Sequence, residues 1–134
     1  MMDKKVLIVD DEEVIRKFLG INLVNWGYEV KEAVDGTEAL EKLGNEGFNL
    51  LILDILIPNK DGWQLLKEVK SNLKTKDIPI IILTAKNGDS DMIKGYTLGA
   101  SYYITKPFTK AQLLSGIQLI FKGNSESLPV SRQG

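Results

Sequence analysis

Several strand-like stretches of this sequence end in residues that could do chemistry together. The apolar run Val6 to Val9 is followed by Asp10 and Asp11, the run Leu50 to Leu53 by Asp54, and the run Ile80 to Leu83 by Thr84. A weaker run, Ser101 to Thr105, leads into Lys106 and Pro107. Three carboxylates gathered at one place repel each other, and burying even one unpaired charge costs several kcal/mol. A divalent cation relieves both problems. Oxygen-only ligands, few in number, suit Mg2+, which keeps several waters and accepts one or two carboxylates plus a phosphate oxygen. Lys106 supplies a point positive charge opposite the acids, and Thr84 a hydroxyl donor. A phosphoryl group on Asp54 would then meet cation, ammonium and hydroxyl at once, the clamp that phosphoryl transfer needs. An aspartyl phosphate formed on a carboxylate nucleophile is established chemistry. Each residue alone has a plainer reading. Asp10 or Asp11 could cap the helix that follows, Asp54 could shape a turn, and most threonines and lysines are structural or solvated. What carries the chemical reading is that all of these fall at strand ends, in order.

The elements that must position them follow from hydrophobic patterning. The runs 6–9, 50–53 and 80–83 are β-branched or Leu-rich and read as strands buried on both faces. Tyr28 to Ala33 and Ser101 to Thr105 read as weaker flanking strands. Between them lie helical patterns. Val14, Phe18 and Ile21 recur at i, i+4, i+7; Leu66, Val69 and Leu73 at i, i+3, i+7; Leu113, Ile117 and Ile120, near the end, at i, i+4, i+7. Asp35 with Glu38, and Thr109 with Gln112, have capping-box spacing. Gly27 is expected to end the first helix and Gly47 the second. A fourth helix, about 89–98, has the weakest pattern, with Gly88 and Gly95 and few apolar residues. Five strand–helix repeats with right-handed crossovers give a doubly wound α/β fold, a parallel sheet with helices on both faces. Such sheets bind ligands at the carboxyl ends of their strands. Residues 123–134, rich in Ser and Gly and without periodicity, read as a flexible tail or the start of a linker after a domain spanning 4–122.

Composition removes other chemistries. The 134 residues include no cysteine and no histidine, so a thiol nucleophile, a disulfide framework, a Ser-His-Asp triad and a His-ligated zinc are all excluded within the sequence. The formal charge of −1 gives no basic excess for nucleic acid. The opening Met1 to Lys5 is followed by only four apolar residues before Asp10, a run too short for a signal peptide, and no run approaches membrane-spanning length. The expectation is a cytoplasmic protein that binds neither membrane nor nucleic acid directly.

With these residues in view, the sequence resembles the receiver domains of two-component response regulators, the CheY-like family. The resemblance rests on Val6-Leu7-Ile8-Val9-Asp10-Asp11-Glu12, on Asp54-Ile55-Leu56-Ile57-Pro58-Asn59-Lys60-Asp61-Gly62, on Ile82-Leu83-Thr84-Ala85, and on Gly99-Ala100 running to Lys106-Pro107-Phe108. It implies a flavodoxin-like (βα)5 sandwich with strand order 2-1-3-4-5. It also implies roles. Asp54 is the phosphoacceptor. Asp11 is the direct Mg2+ ligand, Asp10 acts largely through water, and the Leu56 carbonyl completes the protein ligands. Thr84, Ala85 and Lys106 bind the phosphoryl group, and Tyr103 is the switch aromatic that turns inward as Thr84 moves. The Lys106–Pro107 bond is expected to be cis.

The implied partners are a sensor histidine kinase or histidine phosphotransfer protein, met by the first helix and nearby loops, and a downstream output protein or domain. The output surface is the fourth helix, fifth strand and fifth helix, where one of Tyr102 and Tyr103 is expected to point outward. The implied oligomeric state is a monomer or a phosphorylation-dependent homodimer. Two departures matter. Leu56 stands over the acceptor where it cannot orient a water, which suggests a long-lived phosphoryl group. Ser101-Tyr102 replaces the usual Asp-Asp, which weakens the case for a salt-bridged dimer.

Three other α/β readings fail on particular residues. A flavodoxin-type carrier lacks its Ser/Thr/Gly-rich phosphate loop, and two aspartates there would repel flavin phosphate. A haloacid dehalogenase-type phosphatase would want an Asp where Leu56 stands, and a nucleotide switch would want a phosphate-cradling Gly-rich loop. A degenerate receiver that only docks to partners is the remaining rival. Accepting and losing phosphate on its own carboxylate is not turnover of a separate substrate, so no enzyme is expected.

Overall fold

A computed structural model describes residues 4–122. The expected tail, 123–134, lies outside the described residues. Within them the order is β1 (Lys5–Val9), α1 (Glu13–Asn25), β2 (Glu29–Ala33), α2 (Gly36–Asn45), β3 (Leu50–Leu53), α3 (Gly62–Ser71), β4 (Ile80–Thr84), α4 (Asp89–Thr97), β5 (Tyr102–Thr105) and α5 (Lys110–Lys122). All pairings are parallel, and the sheet order is β2-β1-β3-β4-β5. This is the doubly wound order that the resemblance implied.

The strands' continuous apolar runs reflect burial on both faces. Successive side chains point to opposite sides of a strand, so each run feeds two cores. Leu7, Val9, Leu51, Leu53, Ile80 and Ile82 pack with α2 and α3, against Ala39, Leu43, Leu65, Leu66 and Val69. Val6, Ile8, Leu50, Ile52, Ile81 and Leu83 pack with α1 and α5, against Leu19, Leu23, Leu113 and Ile117. Each fully buried Leu or Ile contributes roughly 1.5–3 kcal/mol relative to exposure. β2 is an edge strand, and its Glu29, Lys31 and Glu32 are exposed.

Helix α1 corrects the periodicity reading. Val14, Phe18 and Ile21 are exposed, by 78%, 38% and 63%, while Leu19, Asn22 and Leu23 are buried. The helix carries two apolar stripes, and spacing alone does not say which meets the sheet. The inner stripe, Ile15, Leu19, Asn22 and Leu23, includes a polar residue. Asn22 tolerates burial because its Nδ2 donates to the Phe18 carbonyl at 2.8 Å. Leu73 is also exposed, because α3 ends at Ser71, before that position can join the buried face.

The predicted caps form. Asp35 accepts from the Glu38 N–H at 2.8 Å, and Thr109 and Gln112 exchange two bonds, of 3.0 and 2.8 Å. Gly27 follows α1 with φ 98°, a conformation that suits glycine. Gly47 is absent from the positive-φ residues, and α2 ends instead on an extended Glu46. Among the described residues no helix is long and apolar enough to cross a membrane.

Candidate functional site

The carboxyl ends of β1, β3, β4 and β5 bring the expected residues to one edge. Asp10 follows β1 and Asp54 follows β3, and both are buried. Neighbouring strands hold them in place: the Asp10 N–H donates to the Ala33 carbonyl at 3.1 Å, and the Asp54 N–H to the Val9 carbonyl at 2.9 Å. Neither Asp10 nor Asp11 caps α1. Its N-cap is Glu12, without a side-chain cap bond, while Asp10 Oδ1 accepts the Glu12 N–H at 2.9 Å. The helix-cap alternative therefore falls away.

Oxygens of Asp10, Asp11, Glu12 and Asp54 all lie within 4.8 Å of one another. Lys106 reaches into this group, its Nζ at 2.8 Å from Asp10, 2.9 Å from Asp54 and 3.3 Å from Glu12. Four carboxylates against one ammonium leave an excess of negative charge at a partly buried place. Burial pushes the Asp10 carboxyl above its ordinary value, and the Lys106 bond only partly offsets this. Burial opposes charging Lys106 as well, but hydrogen bonds to Asp10 and Asp54 outweigh it and hold its pKa above the usual lysine value. A hard divalent cation fits this all-oxygen donor set, since it answers the charge excess that Lys106 alone leaves.

The other expected residues follow the same strand ends, and the Thr84 carbonyl accepts the Lys106 N–H at 2.8 Å. Thr84 is fully buried at the end of β4, where Oγ1 accepts the Lys86 N–H in a long 3.4 Å contact, and Ala85 after it is exposed. The Leu56 N–H donates to Asp54 Oδ1 at 2.9 Å, and its side chain is half exposed. The Lys106–Pro107 peptide is cis.

Tyr103 lies inside, its hydroxyl donating to the Lys86 carbonyl at 2.7 Å. Burial, with the Asp91 and Asp54 charges, pushes its pKa up to about 12. Neither tyrosine of β5 points freely outward: Tyr102 is half-buried beside Gly116 of α5. Period-2 alternation placed the two on opposite faces, but both faces of β5 are covered, by α4 and by α5. Trp63 is buried and Trp26 half-buried, as packing residues.

Two contributors escaped the sequence reading. Glu12 joins both the acid group and the Lys106 pairing. Its signal was its place directly after the acid pair. Arg16 donates to the Asp10 carbonyl at 2.9 Å and pairs with Glu32 at 2.9 Å, tying α1 to the end of β1 and to β2. Nothing in the local pattern pointed to it.

Comparison with known proteins agrees with this geometry. A family model described as the response regulator receiver domain matches residues 6–118. Among solved structures, the chain is similar to the chemotaxis response regulator CheY4 of Vibrio cholerae, at 34% identity and TM-score 0.84, covering 89% of this chain and 99% of that one. It is similar to a putative response regulator from Chloroflexus aurantiacus at 37% identity and TM-score 0.84, covering 89% and 98%. The phosphorylated cyanobacterial phytochrome response regulator RcpA matches at 31% identity and TM-score 0.79, covering 96% and 99%. With the fold, the acid cluster at the strand ends and a family match over most of its length, the chain belongs to the response regulator receiver domain family of two-component signalling.

Proposed function

We propose that this chain accepts a phosphoryl group on Asp54 from a histidine kinase or histidine phosphotransfer protein, with Mg2+, and signals by changing its α4-β5-α5 surface. The observation that carries the reading is the convergence of Asp10, Asp11, Glu12 and Asp54 with Lys106 at the strand ends. In this reading an Asp54 carboxylate oxygen attacks phosphorus, the bond from phosphorus to the donor's imidazole nitrogen breaks, and the imidazole leaves with that electron pair. Asp10, Asp11, Asp54 and the Leu56 carbonyl would hold Mg2+, which when bound neutralises charge on the phosphoryl oxygens. Lys106 exchanges its carboxylate partners for a phosphoryl oxygen. Thr84 and the Ala85 backbone bind the others, and Tyr103, already inside, is the aromatic whose packing reports their position.

The receiver unit is assigned to 4–122, with 123–134 as tail or linker, and the site of action to the cytoplasm. The chain works as a monomer or a phosphorylation-dependent homodimer, without direct nucleic-acid or membrane binding. It is a signalling module with no separate turnover substrate. The exposed stripe Val14, Phe18 and Ile21 on α1 supports docking of the phosphodonor there, since apolar residues grouped on one exposed face favour a partner contact.

The test is incubation with a small-molecule phosphodonor, with and without Mg2+, followed by intact mass measurement beside Asp54→Asn. Gain of one phosphoryl group that requires both Mg2+ and Asp54 is the expected result. No gain in a folded, Mg2+-binding protein, even with an active histidine kinase present, would favour a docking-only module.

A further inference from the structure

The loop between β3 and α3, which carries Leu56, is tied down at its far end. Asn59 has φ 71°, the one non-glycine residue with positive φ among the described residues. Asparagine is among the few side chains that enter this region readily. Its Nδ2 donates to Asp35 Oδ2 at 2.6 Å, across 24 positions of sequence. The other oxygen of Asp35 caps α2 by accepting the Glu38 N–H at 2.8 Å. One carboxylate is therefore shared between the start of α2 and the tip of the loop.

The next residue adds a second tie. Lys60 pairs with Glu68 of α3 at 2.6 Å, and its stem lies so close over Gly36 that a Cβ there would overlap it. Between these ties and Asp54 the backbone closes on itself, with Ile57 N–H to the Ile55 carbonyl at 3.1 Å and Lys60 N–H to the Pro58 carbonyl at 2.8 Å. The Leu56 N–H is fixed on Asp54 itself. Little of the loop is free to move independently of Asp35.

We infer that Asp35 and Asn59 form a latch of positioning residues for the cation site, holding the backbone from which the Leu56 carbonyl takes part. The inference rests on the Mg2+-dependent phosphoacceptor reading. The side-chain hydrogen bonds of the two residues go to the Glu38 N–H and to each other, and Lys106 pairs with neither. Asp35 serves through Asn59, and Asn59 through the backbone it fixes. Partners that orient ligands from outside a metal site commonly change affinity when removed, and a tie that holds a ligating carbonyl acts in the same way.

The test uses variants that separate the latch from folding. Asn59→Gly keeps the left-handed backbone and removes only the amide. Asp35→Ser keeps an α2 N-cap but is too short to reach Asn59. Mg2+ affinity is measured by isothermal titration calorimetry on the full chain, with Thr109→Ala, a lost cap on α5, as a control for general destabilisation. Each latch variant is expected to bind Mg2+ on the order of 10-fold more weakly. The double variant should be no weaker than either single one, and the control should bind as the parent does. Phosphorylation of the latch variants by a small donor should be slow at limiting Mg2+ and recover at saturating Mg2+.

Parent-like Mg2+ affinity in Asn59→Gly and Asp35→Ser would overturn the latch and leave the phosphoacceptor reading intact. A parent that binds no Mg2+ would overturn both. Weakening of equal size in Thr109→Ala would reduce the latch to a matter of stability.

Discussion

Replacing Asp11 by Asn should make the protein more stable when Mg2+ is absent and remove most of what Mg2+ adds. Lys106 pairs with Asp10, Glu12 and Asp54 but not with Asp11. Asp11 therefore faces three carboxylates with ligating oxygens within 4.8 Å, against one ammonium already engaged by the others. One such pair at water-like screening repels by roughly 0.9 kcal/mol, and physiological salt trims this by about half. Two net repulsions then amount to about 1 kcal/mol. For a domain of this size that shifts Tm by about 3–5 °C. The assay is thermal unfolding followed by circular dichroism, in chelator and in Mg2+, at low and high salt. Asp11→Asn should melt higher than the parent in chelator, by less at high salt, while Mg2+ should raise the parent's Tm and barely move the variant's. An Asp11→Asn protein that melts at or below the parent in chelator would refute the claim that these carboxylates sit together in uncompensated repulsion.

Three further outcomes follow from individual contacts. A methyl group at Gly95 of α4 would stand 2.8 Å from Ile82 Cδ1 and 3.0 Å from Tyr103 Cδ2, so Gly95→Ala should cost about 1–3 kcal/mol in chemical denaturation; an unchanged midpoint would mean that α4 yields freely. Hydrogen bonds from the Glu38 N–H and the Asn59 amide hold the Asp35 carboxyl below its ordinary range, so its stabilisation is present above the unfolded value of about 3.9 and is lost as pH falls through the folded one. The stability gap between parent and Asp35→Asn should accordingly be flat near neutrality and close in acid; a gap that widens in acid would reverse the sign. The Leu56 side chain offers no polar atom to an attacking water, so phosphate on Asp54 should leave more slowly than in Leu56→Asn, measured by loss of the phosphorylated mass with time; loss from Leu56→Asn that is no faster than from the parent would contradict this.

The parts of the fold that could be read from sequence were those where one physical demand acts alone. The runs 6–9, 50–53 and 80–83 must be apolar throughout because helices cover both faces, and they mark three central strands almost to the residue. Chemistry at the strand ends was legible for the same reason: an acid or a lysine directly after such a run departs sharply from its surroundings. Helix α1 failed where two demands overlap. It keeps one apolar stripe for the sheet and leaves another exposed, and Asn22 interrupts the buried one. Glu12 stood directly after the acid pair, but its meeting with Lys106, like the contacts of Arg16 and the tie from Asn59 to Asp35, depends on distance in the fold. Lys106 meets Glu12 across 94 positions and Asn59 meets Asp35 across 24, and no local pattern encodes either meeting.

Of the four neighbouring carboxylates Asp10, Asp11, Glu12 and Asp54, Asp54 is the one proposed to take the phosphoryl group. Reduction of the freshly phosphorylated protein with borohydride converts an aspartyl phosphate to homoserine, and peptide sequencing by mass spectrometry then locates it. Homoserine is expected at position 54 alone, formed only when Mg2+ was present during phosphorylation. Homoserine at position 10 or 11, or none at all in a sample whose mass shows the added phosphoryl group, would contradict it.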